Sequence, residues 1–403
     1  MLRVLAAVAL VVLAAVVGSS LDYERTHAGA PPLFAEWLPH IGIGTPFAVI
    51  VAVLVVAQGP ALAARLPWRK ALSLTYAAAV AWIFSLSLVA GWTRGFAGRL
   101  TTVHEYLHEV PGVTDVGVML RGFSARILDF QPDSWTTHVS GHPPGALLAF
   151  VGLDRIGLSG GAWAAVVVVL VGASTAVAVP VTVRAVAGEE RARAVLPFVA
   201  LFPGAVWIGV SADGLFAGVT ACGIALLATR RAFLGGVVLG IGVFLSYGLV
   251  LVGVLALVVL WRDRRAVGLA VLGASAVVAA FAVAGFWWLD GYHLVVERYY
   301  QGIASSRSYW YWVWANLAAA VLACGFAPIA ARWRGPGLRL AGAAAVAILL
   351  ADVSGLSKAE VERIWLPFTG WLVVLVPAAH RRAWLAAQAG TALAVDHLLL
   401  TNW

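Results

Sequence analysis

The sequence predicts an all-α membrane protein, a polytopic bundle of about 11 to 13 transmembrane helices. Hydrophobic residues make up 62% of the 403 residues, charged residues only 11%, and the mean hydropathy is +0.92. Such a chain has too little polar surface for a soluble globule of this size. The apolar runs are continuous and lack the alternation of lipid-facing strands. They therefore predict helices and not a barrel.

The predicted spans follow one another along the whole chain. They lie near 3–20, 41–57, 71–92, 143–156, 161–183, 195–210, 212–229, 232–261, 266–288, 311–331, 340–353, 364–379 and 383–400. The run 143–156 is short for a crossing and predicts a half-crossing. The run 232–261 is long for one helix and predicts two short helices that turn near Ser246, Tyr247 and Gly248. The first run is expected to be an uncleaved span, with a cleaved signal peptide as the alternative.

Basic residues gather in short connectors, which predicts the orientation. The formal charge of +8 does not indicate a nucleic-acid partner, because Lys and Arg follow the positive-inside bias of a multi-pass protein of the plasma (inner) membrane. Loops 21–40, 93–141, 289–310 and 352–363 should then face outward. The chain 1–403 is interpreted as one membrane domain. Its first large extracytoplasmic loop, 93–141, is expected to carry interfacial helices.

The first polar cluster of that loop is 102–109, which contains His104, Glu105, His108 and Glu109. Its apolar residues are spaced to lie along the interface as a helix. In such a helix Glu105 and Glu109 share a face, as do His104 and His108, because four residues make about one turn. One face can then aim a carboxylate at a cleft. The alternative is a solvated amphipathic helix on the lipid headgroups.

The second cluster is His138 with His142, Pro143, Pro144 and Gly145. Two prolines begin a helix well, because they restrict φ and lack N–H groups that would be unsatisfied there. His142 should therefore lie at the membrane surface, near the mouth of any cleft. The alternatives are a purely structural re-entry turn and a metal site formed by the two histidines. The metal site is weakly supported, since no carboxylate lies between them.

Asp213 and the outer arginines form the remaining clusters. Asp213 lies between two apolar runs among small residues, and helix capping by Ser211 or Asp213 is the alternative to a functional role. Arg298, Arg307 and Arg363 lie on the side where the positive-inside bias disfavours arginine. They are candidates to bind an anion such as phosphate. The alternative for Arg363 is a salt bridge with Glu360 or Glu362, and Trp310, Trp312 and Trp314 are interpreted as an interfacial belt.

On these residues the chain resembles the GT-C superfamily of integral membrane glycosyltransferases, which use polyprenyl-phosphate-linked sugars. Similar features are Glu105 in the first long outer loop, the His142-Pro143-Pro144 element, Asp213 after a proline-containing helix, and a late loop from Lys358 to Trp365. The resemblance covers roughly 71–370, and the Ala, Val, Gly and Arg-rich composition is similar to that of actinobacterial members.

The resemblance implies transfer of a sugar from a polyprenyl-phosphate-linked donor to an envelope glycan, lipid or protein acceptor on the outer face. Glu105 is the expected base and Asp213 the second carboxylate. The phosphate is expected at His142 and Arg363, held by arginine or a histidinium, with Arg298, Tyr299, Lys358 and Glu362 nearby. His104, Glu109, Asp129 and Asp133 are secondary candidates, and a carboxylate among these could be the base in place of Glu105. No metal ligands are assigned, although a divalent cation is possible.

Two other function classes remain open. A transporter or flippase for a lipid-linked sugar or small solute would place ionisable residues at mid-membrane, often on broken helices in inverted repeats. In this sequence they gather in the outer loops, and no repeat is visible. A membrane scaffold for envelope synthesis would depend on no outer carboxylate.

Overall fold

The computed structural model describes residues 1–335 and 337–402, and it confirms an all-α helical membrane bundle. The described strands are β1 (Ala35–Trp37) and β2 (Leu399–Thr401). They pair antiparallel, with Glu36 opposite Leu400. Among the described residues, the largest hydrophobic cluster extends through the bundle from Leu33 to Val395, and two smaller clusters lie beside it.

The helices in the first half of the chain are α1 (Leu2–Ser20), α2 (Tyr23–Thr26), α3 (Gly44–Arg65), α4 (Trp68–Ser87), α5 (Val116–Gly122), α6 (Thr137–Ser140), α7 (Pro144–Arg155), α8 (Gly161–Ala173), α9 (Thr175–Ala187), α10 (Glu189–Ala200) and α11 (Ala205–Ile208). The helices of this half that follow the long outer loop are shorter than α1, α3 and α4. The outer loop also contains a π-helix (Trp92–Ala97) and 3-10 turns at Arg99–Thr101, Tyr106–His108, Val110–Gly112 and Ser124–Arg126.

The second half continues the bundle. Its helices are α12 (Ala212–Ala228), α13 (Ala232–Leu245), α14 (Val252–Leu260), α15 (Arg264–Val283), α16 (Trp288–Gln301), α17 (Tyr309–Cys324), α18 (Ala327–Ala330), α19 (Gly337–Val353), α20 (Val361–Ile364), α21 (Leu366–Leu372) and α22 (Arg381–Leu398). The 3-10 turns of this half are Tyr247–Leu251 and Ile303–Ser305.

Among the described residues, five helices are long and apolar enough to cross a membrane: α1, α3, α4, the continuous α8–α9 pair and α15. Other apolar helices, such as α12, α13 and α14, are shorter. The number of about 11 to 13 crossings stays a prediction. The turn predicted inside 232–261 is confirmed, because α13 ends at Leu245, Ser246 is extended and a 3-10 turn follows.

Contacts between distant connectors define one end of the bundle, which we call the basic end. Arg193 Nη1 donates to the carbonyl oxygens of Ala63 (2.7 Å) and Leu66 (2.9 Å). The guanidinium of Arg3 lies 5.5 Å from the ring centre of Trp333. The arginine-rich connectors of the sequence therefore meet at a common end.

The opposite end, which we call the loop end, gathers the polar loops. Arg99 Nη1 donates to the carbonyl oxygen of Thr401 at 3.0 Å, and β1 pairs with β2 there. Both ends of α7 contact the long loop: His142 packs on Tyr106, and Arg155 Nη2 donates to the carbonyl oxygen of Thr114 at 3.1 Å. The helix α7 therefore packs along this loop, and the half-crossing at 143–156 stays a prediction.

The predicted interfacial helix at 102–109 is wrong. Glu105 is extended (φ −99°, ψ 167°), and only a 3-10 turn follows it. The carbonyl oxygen of His104 accepts from the backbone N–H of His138 (2.9 Å), a tertiary contact that replaces a helical hydrogen bond. As a result, Glu105 and Glu109 do not share a helix face. They serve different contacts.

Candidate functional site

Three ionisable side chains from distant segments lie together at the loop end. Glu105 precedes the 3-10 turn of the long loop, Asp213 lies in the first turn of α12, and Arg363 lies in α20. Their exposed fractions are 3%, 4% and 5%. Because buried charges are costly unless they are paired, their burial requires partners.

Arg363 is the centre of this group. Its Nη1 donates to Asp213 Oδ2 and its Nη2 to Glu360 Oε2, each at 2.6 Å. Burial alone would lower the pKa of Arg363, but Asp213 and Glu360, together with the nearby Glu105, raise it above the ordinary value. Arg363 therefore stays charged, and the open choice between Glu360 and Glu362 as its partner is settled for Glu360.

Glu360 extends the chain of charges to a second arginine. Arg307 Nη1 donates to Glu360 Oε1 at 3.0 Å and to the carbonyl oxygen of Lys358 at 2.9 Å. Burial opposes the ionisation of Glu360, but Arg363 and Arg307 outweigh it and lower its pKa to about 2. The four residues Asp213, Arg363, Glu360 and Arg307 thus form a continuous line of alternating charge, which we call the charge relay.

The loop that carries the charge relay has an unusual backbone. Ala359 and Glu360 are both left-handed, with φ of 68° and 63°, a conformation that residues with side chains rarely adopt. Asn316 stabilises it: its Oδ1 accepts from the N–H of Ala359 (3.3 Å), and its Nδ2 donates to Asp352 Oδ1 (2.9 Å). Strain of this kind persists where the surroundings over-determine it, often at functional sites.

The guanidinium of Arg307 has N–H groups without a hydrogen-bond acceptor among the described residues. Arg307 is 5% exposed, yet its Nε and Nη2 have no hydrogen-bond partner among the described residues. The ring of Phe34 lies 5.2 Å from its guanidinium carbon. Lys358 Nζ donates to the carbonyl oxygen of Arg307 at 3.2 Å and so adds a second cation. The Nε/Nη2 edge of a guanidinium is a two-pronged donor that fits an oxyanion.

The two histidines lie beside Glu105. His138 Nε2 is 3.6 Å from Glu105 Oε1, and His142 Nδ1 donates to the carbonyl oxygen of His138 at 2.8 Å. The His142 ring packs between Tyr106 and Phe216. Burial lowers the pKa of His142 to about 4. This ring is therefore neutral at pH 7, with Nε2 as an acceptor, so the expected histidinium is not formed here.

The secondary candidates Glu109, Asp133, Asp129 and His104 make contacts that hold the outer loop in place. Glu109 Oε1 accepts from the N–H of Thr136 (2.9 Å), and its Oε2 lies 3.6 Å from Arg126. Asp133 also lies beside Arg126 (3.7 Å) and is largely exposed. Asp129 binds Arg298 at 2.6 Å, and His104 contacts Thr137 at 3.3 Å. In the described part of the chain, these candidates make no ion pair with the charge relay.

The other residues expected near the phosphate include Glu362, Tyr299 and Arg298. Each of them has a different partner, so they do not form one phosphate site. Glu362 is 1% exposed, and its Oε1 accepts from the N–H of Phe34 at 2.8 Å; burial raises its pKa to about 7. Tyr299 accepts from the N–H of Lys358 at 2.9 Å and so fixes the loop. Arg298 is engaged by Asp129.

The sequence named Arg307 among the arginines expected to bind an anion, His138 only as a weakly supported metal ligand, and Glu360 only as a possible salt-bridge partner of Arg363. It assigned no role to Asn316. A signal existed for Glu360, because it precedes Arg363 by three residues, a spacing at which side chains meet in one helical turn. Asn316 lies inside an apolar helix, and its contact to Ala359 joins residues 43 apart. Nothing local to Asn316 indicates that partner.

Among residues 1–335 and 337–402, no group of three or more His, Cys, Asp or Glu side chains is placed to hold a metal. A hollow of about 380 Å³ lies between the long loop, α7 and the start of α8, lined by Leu107, His108, Phe150, Asp154 and Leu158 among others. Phe150 stacks on Tyr106 with 5.2 Å between ring centres, and Glu105 is not among the residues that line this hollow.

Comparison with models of protein families, with curated proteins and with solved structures finds no significant match for this chain.

Proposed function

We propose that the protein is a membrane glycosyltransferase. It would transfer a sugar from a polyprenyl-phosphate-linked donor to the hydroxyl of an envelope glycan, lipid or protein acceptor, with the loop end on the outer face of the plasma membrane. The observation that carries the proposal is the buried Arg307, whose Nε and Nη2 have no partner among the described residues. It lies at one end of the charge relay, and Arg363 of the same relay lies near Glu105.

Glu105 is the carboxylate best suited to be the base. This residue is 3% exposed, and it lies close enough to Arg363 to raise the pKa of that guanidinium. Beside Glu105 lies His138, a group that can itself exchange a proton. In the reaction the acceptor oxygen bonds to the anomeric carbon while the bond from that carbon to the phosphate breaks. Glu105 takes the hydroxyl proton, and polyprenyl phosphate leaves with the negative charge.

The departing phosphate fits Arg307 and Lys358 better than Arg363. Both guanidinium Nη atoms of Arg363 donate to carboxylates, whereas the Nε/Nη2 edge of Arg307 can donate to two oxygens of a phosphate. Lys358 adds charge beside it, and both side chains are buried. In surroundings poor in water, such fixed charges stabilise developing negative charge far more than they would in bulk water.

The experiment is a transfer assay with purified protein in proteoliposomes. A panel of radiolabelled polyprenyl-phosphate sugars and membrane acceptors is offered to wild type, Glu105→Gln and Asp133→Asn. The Asp133 variant makes the same chemical change at an exposed carboxylate of the same loop. We expect transfer by wild type and Asp133→Asn and a loss of roughly 10²-fold or more in Glu105→Gln. Full activity of Glu105→Gln would overturn the assignment.

The second candidate is a transporter or flippase for the same kind of lipid-linked sugar. The observation that favours it is the interruption of helices beside Asp213, since buried irregular backbone separates α10, α11 and α12. Transport would be seen as movement of labelled donor between leaflets of the same proteoliposomes without any product. Product formation at matched protein concentration would exclude this candidate as the main activity.

A further inference from the structure

The basic end carries a surface that the proposed transferase does not use. Three segments meet there: the start of α1, the connector 261–265 before α15, and residues 331–335 with 337–339, before and in α19. We call this surface the arginine–tryptophan patch. Its members are Arg3, Trp261, Arg262, Arg264, Arg265, Arg332, Trp333, Arg334 and Arg339.

The positive charge of this patch is not compensated within the chain. Its seven arginines are exposed, and within the described ranges none of them lies within 4 Å of a carboxylate oxygen. The one acidic residue of these connectors, Asp263, uses its Oδ1 to accept from the N–H of Ala266 and so caps α15. Elsewhere at the basic end, Arg184 and Arg193 both bind Glu189 at 2.6 Å.

Two exposed tryptophans position the guanidinium groups. Trp261 is 57% exposed and has Arg262 and Arg339 at 4.4 Å and 4.9 Å from its ring. Trp333 is 52% exposed, lies 5.5 Å from Arg3, and is fixed by a hydrogen bond from its Nε1 to the carbonyl oxygen of Pro328 (3.1 Å). A guanidinium that lies on an aromatic ring keeps its N–H groups available at the edge.

We propose that this patch is a specific binding site for an anionic phospholipid headgroup, with the phosphate oxygens accepting from Arg262 and Arg339. The position of the patch favours a bilayer lipid over a soluble polyanion. It lies where α15, a helix long and apolar enough to span the membrane, begins, and its tryptophans are of the type that occupies the headgroup level. Basic pockets between transmembrane helices bind phospholipid phosphates in this way.

The test titrates phosphatidylglycerol into the detergent-solubilised full chain and counts bound lipids by native mass spectrometry, with phosphatidylcholine as the neutral lipid. Arg262→Gln with Arg339→Gln removes two charges from the patch. The matched control is Arg381→Gln with Arg382→Gln, which removes two exposed charges from another basic connector. If the first pair fails to fold, Arg332→Gln with Arg334→Gln replaces it.

The expected result is tighter binding of phosphatidylglycerol than of phosphatidylcholine in wild type. The patch variant should weaken phosphatidylglycerol binding about 25-fold, at about fivefold per arginine, and the control by less than about twofold. Equal loss in both variants would show a diffuse charge effect and overturn the proposal. Equal binding of the two lipids by wild type would overturn it as well. Neither result bears on the transferase assignment, because the patch lies at the opposite end from Glu105.

Discussion

The buried carboxyl of Glu362 predicts a pH-dependent stability of definite sign. Burial raises its pKa to about 7 from an ordinary value of 4.5. The folded protein therefore holds a proton on Glu362 over a pH range in which the unfolded chain has released it. The stabilisation is fully present below about pH 4.5 and is lost as the pH rises through about 7. Glu362→Gln is neutral at every pH and should not show this loss.

The size of the effect follows from the two pKa values. Between about pH 5.5 and pH 8.5 the group should contribute a loss of about 2 kcal/mol in the free energy of unfolding. His142 acts in the opposite direction, because burial lowers its pKa to about 4 from 6.5. Its neutral form is favoured in the folded state, so its contribution is lost as the pH falls from about 6.5 to about 4. The contribution of His142 is the same in wild type and in Glu362→Gln, so it cancels when the two proteins are compared.

The assay is unfolding in mixed micelles by a denaturing detergent, followed by circular dichroism at both pH values. Glu24→Gln serves as the control, since Glu24 is an exposed carboxylate in the loops at the same end. We expect wild type and the control to lose about 2 kcal/mol more than Glu362→Gln between the two pH values. An identical pH dependence in wild type and Glu362→Gln would refute the reasoning about burial.

Two further changes test the packing of the site. Asp213→Ala leaves Arg363 buried with one carboxylate fewer, and it should lower the free energy of unfolding by about 3 to 5 kcal/mol in equilibrium denaturation. A loss below about 1 kcal/mol would contradict a buried ion pair. Asn316→Leu removes the acceptor of Ala359 and the donor to Asp352, so it should cost about 2 to 3 kcal/mol and speed proteolysis within 354–360. Unchanged cleavage rates would show that Asn316 does not hold the strained loop.

Much of the fold follows from the sequence, because apolar length and basic connectors are local properties. The helix ends at Ser20 and Arg155 lie close to the ends of the predicted runs 3–20 and 143–156, and the helix end at Leu245 lies next to the turn predicted near Ser246. The failure at 102–109 has a tertiary cause: the carbonyl oxygen of His104 is taken by the N–H of His138, a partner 34 residues away. Periodicity alone cannot show that competition.

The sequence predicts which residues belong to the candidate site better than it predicts which of their side chains bind one another. The sequence places Glu105, Asp213 and Arg363 in loops of one face, and the structure brings them together. It does not indicate that both Nη atoms of Arg363 bind carboxylates while Nη2 of Arg307 keeps no partner among the described residues, because both facts depend on contacts across 53 and 150 residues. Burial likewise decides that His142 is neutral and that Glu362 faces Phe34.

Binding of a polyprenyl phosphate is the measurement that tests the account most directly, because it requires no knowledge of the sugar or the acceptor. The matched ligand is the uncharged polyprenol of the same length, and the variants are Arg307→Met and Arg25→Met, the latter exposed at the same end. Wild type and Arg25→Met should bind the phosphate at least about tenfold more tightly than the alcohol, and Arg307→Met should lose that preference. A preference that survives in Arg307→Met, or equal binding of the two lipids by wild type, would contradict the account.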